Sequence, residues 1–426
     1  MWRDTAAMPE YGRLEGDVRT DVLVIGGGMA GILCAHFLRQ AGVDCVLAEA
    51  DRLCAGTTGN TTAKITSQHG LVYDGLLRRF GAEKAGMYLH ANEAALARYR
   101  GMCREIDCGF EEKDAFVYSL DDRGKLEKEL AALEKLGFHA GFTDKLPLPF
   151  PVAGAVRFER QAQFDPLRFA AAAARGLRAY EHTPVRRLEG TSAVTDRGTI
   201  RAEKVIVATH FPFLNRHGSY FLKMYQHRSY VLALENAANV GGMYVDEAAE
   251  GLSFRNAQGM LLLGGGSHRT GKQGGGWREL EAFAKRHYPR AHIRYRWAAQ
   301  DCMTLDGVPY IGPYSARTEN LYVATGFNKW GMTSAMAAAM LLTDMVQGKR
   351  PDDAPVFSLP QHAAPAACAE RAGGRGKPAH AHGAALPAHG LRAEMERAGA
   401  FVGLPLPRLT LHAGGRPHRK SRDAGP

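Results

Sequence analysis

Residues 21–50, DVLVIGGGMAGILCAHFLRQAGVDCVLAEA, constrain the fold of this chain more than any other segment. An apolar strand runs directly into Gly26, Gly28 and Gly31 in G-x-G-x-x-G spacing, a helix follows, and a second apolar strand ends at Glu49. In such a unit the first glycine permits a tight turn, the second lets the backbone approach a pyrophosphate, and the third allows close helix–strand packing. The segment therefore predicts a dinucleotide-binding, Rossmann-like α/β domain.

The same segment predicts which residues meet the dinucleotide. Glu49 stands where a carboxylate accepts hydrogen bonds from both ribose hydroxyls of an adenosine. Met29 and Ala30 lie between the second and third glycines, at the helix N-terminus that attracts the pyrophosphate. NAD and FAD both use this unit, so the choice between them has to come from elsewhere in the chain.

A second glycine-rich segment, LLLGGGSHRTGKQ, resembles a phosphate-binding loop in the spacing of Gly266, Gly271 and Lys272. Gln273 replaces the Ser or Thr that would hold magnesium, so binding of a nucleoside triphosphate is not expected. No apolar helix follows directly on these glycines, so the segment does not predict a second dinucleotide unit.

Composition excludes several classes of protein. The chain has 426 residues and is 45% hydrophobic, enough for a large core in two or three structural units. Residues 1–16 lack an apolar leader region, and the longest apolar run, 335–342, is too short to cross a bilayer, so we expect a soluble, cytoplasmic protein. The seven cysteines are scattered without a C-x-x-C pair, which predicts no disulfide framework and no metal site.

The positive charge of the chain is concentrated at its C-terminus. Residues 361–426 carry ten Lys and Arg against four Asp and Glu, which is +6 of the total net charge of +10. This segment is rich in Ala, Gly, Pro, His and Arg and lacks periodicity, so we predict a disordered or non-native tail. It contains no aromatic interleaving and no nucleic-acid-binding module, so a nucleic-acid partner is not expected.

Between these segments the pattern alternates between helices and strands. Residues 60–149 are predicted to be mostly helical, and Asp165 with Pro166 predicts the capped start of a further helix. Strands dominate from residue 194 onward, with a hairpin turn at 196–198. The last ordered segment, NLYVATGFNKWGMTSAMAAAMLLTDMV, predicts a strand that returns beside the first one and runs into a helix.

Four motifs together resemble the D-amino-acid oxidase, or glycine oxidase, superfamily of FAD-dependent oxidoreductases: VIGGGMAGI, AGTTGNTTAKITSQHG, VIVAT, and DGVPYIGP with LYVATGFNKWGMT. The resemblance covers about residues 21–357. More narrowly, GNTTAKITSQHGL with TGFNKWGMT resembles a bacterial branch in which such an oxidoreductase is fused to a C-terminal Rieske domain. The resemblance implies an FAD-binding α/β domain interleaved with an α+β substrate domain on an antiparallel sheet.

The resemblance also implies roles for particular residues. The motif glycines would hold the pyrophosphate and Glu49 the ribose, Thr57 and Thr58 would lie along the FAD, and Val185, in a strand after the third helix, would contact the adenine. The segment 326–333 would lie against the flavin ring, through Gly326, Lys329, Gly331, Met332 and Thr333. The implied domain boundaries are 17–75, 150–215 and 297–358 for the FAD-binding domain, and 76–149 with 216–296 for the substrate domain.

The chain departs from the Rieske-fused branch after Pro360. A Rieske cluster needs C-x-H and C-x-x-H ligand pairs, whereas the tail offers Cys368 with no histidine at either spacing. Two explanations stay open: this branch lost the domain, or the reading frame shifted near Pro360. Rieske ligand pairs in another frame of the downstream DNA would support the second explanation.

Five residues are candidates for acting on the substrate or beside the flavin. His69 is a candidate base that would keep a substrate amine neutral, or else a hydrogen-bonded loop histidine. Lys329 could add positive charge beside the flavin, or be a solvated lysine. Trp330 could cover the ring or belong to the core. Arg228 and Arg255 could pair with a substrate carboxylate, or be surface charges.

These features predict an FAD-dependent oxidoreductase that oxidises a C–N bond of a small amine or amino acid by hydride transfer to flavin N5. The electron acceptor would be oxygen or an electron-transfer protein. A non-catalytic or electron-transfer flavoprotein is the alternative. It would bind FAD but would not be reduced by any amine.

Overall fold

The computed structural model describes residues 1–214 and 217–358. Its α-helices are α1 (Met29–Gln40), α2 (Tyr73–Met102), α3 (Arg123–Lys135), α4 (Pro166–Ala174), α5 (Tyr220–Lys223), α6 (Gly276–His287), α7 (Gly331–Val346) and α8 (Ala354–Phe357). Short 3-10 helices span Trp2–Asp4 and Thr57–Asn60.

The strands divide between two sheets. The first sheet contains β1 (Val18–Ile25), β2 (Cys45–Ala48), β7 (Arg178–Tyr180), β8 (Arg187–Glu189), β9 (Ser192–Val194), β10 (Thr199–Val207), β16 (Tyr310–Pro313) and β17 (Leu321–Thr325). The second contains β3 (Lys64–Ile65), β4 (Glu111–Ser119), β5 (Gly141–Thr143), β6 (Gly154–Gln163), β11 (Met224–Glu235), β12 (Met243–Asp246), β13 (Ser253–Ala257), β14 (Met260–Arg269) and β15 (His292–Thr304).

The first sheet is built around the predicted βαβ unit. Its strand order is β16-β17-β10-β1-β2-β7, and β1 pairs in parallel with both β2 and β10. The last strand, β17, pairs with β10, with Val205 opposite Leu321, so it does not lie beside β1 as expected. The apolar VIVAT strand takes the position between them because it is buried and parallel to both neighbours. Helix α7 nevertheless packs against α1.

The second sheet is mainly antiparallel, with strand order β15-β11-β14-β13-β12-β4-β6-β3, and helix α6 packs against β14 and β11. It confirms the fold class implied by the resemblance, an α/β domain combined with an antiparallel sheet. Strands β3, β6 and β15 belong to this second sheet, although the predicted boundaries place them wholly or partly in the FAD-binding domain. The domain boundaries stay a prediction.

Local signals succeeded where the side chains carry a mechanism. Asp165 caps α4 by accepting hydrogen bonds from the N–H groups of Leu167 (3.0 Å) and Arg168 (3.1 Å), and Pro166 occupies the first turn. The turn 196–198 joins the antiparallel strands β9 and β10. Within the region predicted to be mostly helical, however, β3, β4 and β5 are strands. Strand β4 begins with charged residues of low strand propensity. Its pairing with both β6 and β12 overrides that propensity.

Two predictions about the chain as a whole concern membranes and the tail. Among the described residues, no helix is long and apolar enough to span a membrane. The predictions for residues 361–426 lie outside the described part of the chain. The described cysteines are free thiols, and the described residues contain no cluster of side chains that could hold a metal ion.

Candidate functional site

The glycine turn between β1 and α1 leaves no room for side chains. Gly26 adopts a φ of +109°, and a Cβ on it would lie 2.6 Å from the carbonyl oxygen of Ala208, the residue after β10. A Cβ on Gly31 would lie 1.8 Å from the carbonyl oxygen of Gly26. The backbone of β1, the turn and α1 can therefore approach this closely only with glycine at both positions.

The N-terminus of α1 provides an anion-binding end. Gly28 is the N-cap residue and has no side chain with which to cap the helix. The first turn of α1 contains no acidic residue. The N–H of Met29 donates to Oγ1 of Thr58 at 3.0 Å, which ties the helix start to the loop after β2. The remaining N–H groups and the positive end of the helix dipole suit a pyrophosphate.

Glu49 follows β2 and faces the glycine turn. Its carboxylate accepts hydrogen bonds from the N–H groups of Gly27 (2.5 Å) and Asp51 (2.8 Å), and burial raises the pKa of its carboxyl group. Gly27 was not singled out by the sequence motif, yet a Cβ there would lie 2.4 Å from Cδ2 of Leu53 and 3.0 Å from Cβ of Glu49. The carboxylate is thus fixed beside the glycine turn.

The segment after β7 forms the next wall. The N–H of Thr183 donates to the carbonyl oxygen of Glu49 at 2.8 Å, and the carboxylate of Glu181 accepts from the N–H of Leu53 at 2.6 Å. Val185 lies in the coil between β7 and β8, not within a strand as expected from the sequence. It packs against the hydrophobic cluster of the first sheet that contains Ala48, the residue before Glu49.

The carboxyl end of β17 leads into a tightly turned loop. Gly326, Asn328 and Lys329 have φ values of +70°, +50° and +72°. Oδ1 of Asn328 accepts from the N–H of Thr304 at 2.7 Å, and its Nδ2 donates to Oγ1 of Thr304 at 3.0 Å. A Cβ on Gly326 would lie 2.3 Å from Cγ2 of Thr304. The loop is therefore fixed to the end of β15, which explains how two non-glycine residues keep left-handed backbone angles.

Lys329 interacts electrostatically with Asp301 of β15. Its side chain is exposed to solvent, yet burial among the surrounding protein atoms lowers its pKa, and the nearby charge of Asp301 partly offsets that effect. His210, after β10, is likewise solvent-exposed, and burial lowers its pKa while Asp301 raises it. No sequence motif indicated His210 or Asp301, because these two residues and Lys329 lie in three separate strands or loops.

Helix α7 begins at Gly331, as predicted, with no side-chain cap. Met332 is buried, and its carbonyl oxygen accepts from the hydroxyl of Tyr99 at 3.0 Å. Oγ1 of Thr333 donates to the carbonyl oxygen of Thr66 at 2.8 Å. The first turn of α7 is thus anchored through side chains and carbonyls, which leaves its backbone N–H groups for a ligand.

His69 is buried beside this helix start. Its Nε2 is 2.9 Å from Oγ1 of Thr333 and its Nδ1 is 2.6 Å from the hydroxyl of Tyr88, while Trp330 stacks on the ring at 5.1 Å between centroids. Because Thr333 donates its proton to Thr66, we infer that His69 donates from Nε2 and accepts at Nδ1. Burial lowers its pKa to about 3, so the ring is neutral near pH 7.

The two arginines considered as carboxylate ligands have different surroundings. Arg228 is half-buried, with its guanidinium 5.7 Å from the ring centre of Tyr230. Arg255 is only 2% exposed, so the interpretation as a surface charge is wrong for it. Its Nη1 donates to the carbonyl oxygens of Thr62 (2.6 Å) and Ala63 (2.7 Å). The nearby Lys64 was missed by the sequence analysis; burial and the charge of Arg255 lower its pKa to about 7.

These residues fit a flavin dinucleotide. The glycine turn and α1 offer a close backbone approach and an uncapped helix end, Glu49 offers a ribose acceptor, and Thr57 lies in the adjoining loop with its Oγ1 3.4 Å from the carbonyl oxygen of Gln300. The α7 start offers a second uncapped helix end beside Lys329.

Comparison with known proteins agrees with this arrangement. The family described as FAD dependent oxidoreductase (DAO) matches residues 21–345. The chain is 37% identical over 369 residues to the putative Rieske 2Fe-2S iron-sulfur protein YhfW of Bacillus subtilis, covering 82% of this chain and 72% of that protein. It is 23% identical over 376 residues to the gamma-glutamylputrescine oxidoreductase of Escherichia coli, covering 79% and 86%.

The fold matches that of glycine oxidase from Geobacillus kaustophilus with a TM-score of 0.68 and 21% sequence identity, covering 82% of this chain and all of that one. The similarity to a Rieske protein confirms the narrower resemblance drawn from the two sequence motifs. The chain belongs to the DAO family of FAD-dependent oxidoreductases.

Proposed function

We propose that this flavoenzyme oxidises a C–N bond of a small amine or amino acid. The observation that carries the proposal is that the uncapped start of α7 follows directly on Lys329, whose charge interacts with Asp301, in a protein whose family binds FAD. Two similar proteins, a gamma-glutamylputrescine oxidoreductase and a glycine oxidase, are named for substrates that carry an amino group.

FAD, when bound, accepts a hydride from the substrate carbon at N5 and develops negative charge at N1 and the C2 oxygen. We assign the pyrophosphate to Gly26, Gly28 and Gly31 with the first turn of α1, and the ribose to Glu49. The proposed FAD-binding residues also include Thr57, Thr58 and Val185. The N–H groups from Gly331 to Thr333 and the charge of Lys329 would stabilise the negative charge that develops during reduction.

For His69 we propose a positioning role in place of the base role considered from sequence. Both ring nitrogens are engaged, by Tyr88 and Thr333, and the low pKa leaves the ring neutral. A group in this situation orients the first turn of α7 and has no free nitrogen to take a proton from a substrate.

An anaerobic screen tests the proposed activity. The purified holoprotein is mixed with primary and secondary amines, α-amino acids and, as controls, hydroxy acids, and the flavin absorbance at about 450 nm is followed. Bleaching by at least one amine or amino acid is expected. Full FAD occupancy with no bleaching by any of them would favour a non-catalytic or electron-transfer flavoprotein. Reoxidation by oxygen or by an added one-electron acceptor then identifies the acceptor class.

Replacing Lys329 with methionine should lower the flavin midpoint potential. Loss of a partly screened positive charge corresponds to about 1–2 kcal/mol, which for a two-electron couple is about 20–40 mV. The measurement is a redox titration of the holoprotein against reference dyes. Asp301→Asn removes the opposite charge and should raise the potential, whereas Lys329→Arg should change it little. Equal potentials for Lys329→Met and wild type would contradict the role assigned to this lysine.

A further inference from the structure

The loop after β2, residues 55–63 with the sequence AGTTGNTTA, carries Thr57 and Thr58 and is called the threonine loop below. The backbone is unusual at both ends of the loop. Cys54, which precedes it, has a φ of +58°, and Ala63, its last residue, has a φ of +53°. Left-handed backbone angles are unfavourable for residues with a side chain, so such a loop keeps its shape only when its surroundings hold it.

Side-chain donors from the N-terminal segment and from the second sheet hold the carbonyl groups of this loop. Nη2 of Arg3 donates to Ala55 at 2.9 Å, and Nε1 of Trp2 donates to Thr61 at 2.8 Å. Nε1 of Trp297, on β15, donates to Asn60 at 2.9 Å. Arg255, on β13, donates to both Thr62 and Ala63. Because the carbonyls are held from outside, the threonine hydroxyls remain on the side of α1 and β15.

Arg255 is a charged donor whose side chain is buried. Its Nε has no hydrogen-bond partner among the described residues, and burial lowers the pKa of Arg255 to about 9. Trp2 is 3% exposed, and the guanidinium of Arg255 lies 5.7 Å from its ring centre. Burial of a guanidinium carries a desolvation penalty, which the carbonyl hydrogen bonds and the charges of Glu111 and Asp165 offset in part.

We propose that Trp2, Arg3 and Arg255 are positioning residues that hold the threonine loop in its FAD-binding shape before the cofactor arrives. The inference rests on the proposed assignment of Thr57 and Thr58 to FAD, and it does not depend on amine oxidation. It gives the N-terminal segment a function that its sequence did not suggest. A loop that is already ordered loses less conformational entropy when the dinucleotide binds, so the affinity for FAD is higher.

The test uses the full chain without cofactor, in wild-type form and as Trp2→Phe and Arg255→Met. Trp2→Phe keeps an aromatic ring at this buried position and removes the five-membered ring that carries the N–H bound to Thr61. Two quantities are measured on each protein: the rate of amide hydrogen exchange of residues 55–63 and the dissociation constant for FAD. The exchange rate and the dissociation constant are expected to rise about tenfold in Trp2→Phe, which loses one hydrogen bond to a loop carbonyl, and at least about tenfold in Arg255→Met, which loses two.

Arg296→Gln is the matched control, because Arg296 precedes Trp297 on β15 and instead pairs with Glu281 on the exposed surface at 3.3 Å. It should leave both quantities unchanged. If Arg255→Met does not fold, Trp2→Phe alone decides the result. Wild-type exchange and affinity in Trp2→Phe would overturn the proposal, and so would faster exchange with unchanged FAD affinity. Normal FAD binding without reduction by any amine would instead refute the proposed activity and leave this inference standing.

Discussion

The Gly31→Ala apoprotein is expected to bind FAD at least about 100-fold more weakly than the wild type, which corresponds to about 2.7 kcal/mol. The added Cβ would lie 1.8 Å from the carbonyl oxygen of Gly26 and 3.0 Å from its carbonyl carbon. Both atoms are backbone in the glycine turn, so they cannot move aside without reshaping that turn. Overpacking at such a contact costs about 1–3 kcal/mol. Titration of apoprotein with FAD, followed by flavin fluorescence, measures the effect.

Gly86→Ala provides the comparison. Gly86 lies inside α2, and a Cβ there meets no atom within 4 Å, so alanine should stabilise the helix by up to about 1 kcal/mol and leave FAD affinity unchanged. If Gly31→Ala and Gly86→Ala bound FAD equally well, the pyrophosphate would not lie at this turn.

The second large effect concerns the pH dependence of folding and depends on His69. Its folded-state pKa of about 3 lies below the ordinary value of 6.5, because burial disfavours the charged ring. Between these values the unfolded chain binds a proton that the folded protein does not, so the contribution of His69 is complete above about pH 6.5 and is lost progressively as the pH falls toward 3. Between pH 7 and pH 5 this linkage removes about 2 kcal/mol of folding stability.

His69→Gln should remove that part of the pH dependence and lower the stability at pH 7, since Tyr88 and Thr333 lose a shared partner. Urea unfolding of the apoprotein at pH 7 and pH 5 measures the stability at pH 7 and its change between the two pH values. His227, whose pKa burial lowers to about 4, contributes in the same direction in both proteins and cancels in the comparison. The exposed His139→Gln is the control. An equal loss of stability between pH 7 and pH 5 in wild type and His69→Gln would show that His69 is not buried in the folded protein.

The parts of the fold that were predictable from sequence depend on neighbouring residues. The glycine turn, the acid at the end of β2, the Asp165 cap and the helix start at Gly331 each require a particular residue type within a few positions of the element that it shapes. The physical reason for each is local, so the motif is visible in the chain itself.

What was not predictable depends on contacts between distant segments. The partners of His69 are 19 and 264 residues away, and the carbonyl partners of Arg255 are more than 190 residues away. No periodicity or spacing could connect them. Strand β17 was placed beside β1 because its motif was attributed to the same cofactor, but β10 occupies that position through parallel pairing on both sides.

A crystal structure of the FAD complex tests the central claim most directly, namely that one flavin joins the N-terminal glycine turn to the loop and helix start at 326–333. We expect the pyrophosphate against Gly28 and the α1 N-terminus, and the pyrimidine end of the flavin ring against the N–H groups of Gly331 to Thr333. A flavin ring bound away from the α7 start, with the pyrophosphate still at the glycine turn, would contradict the claim.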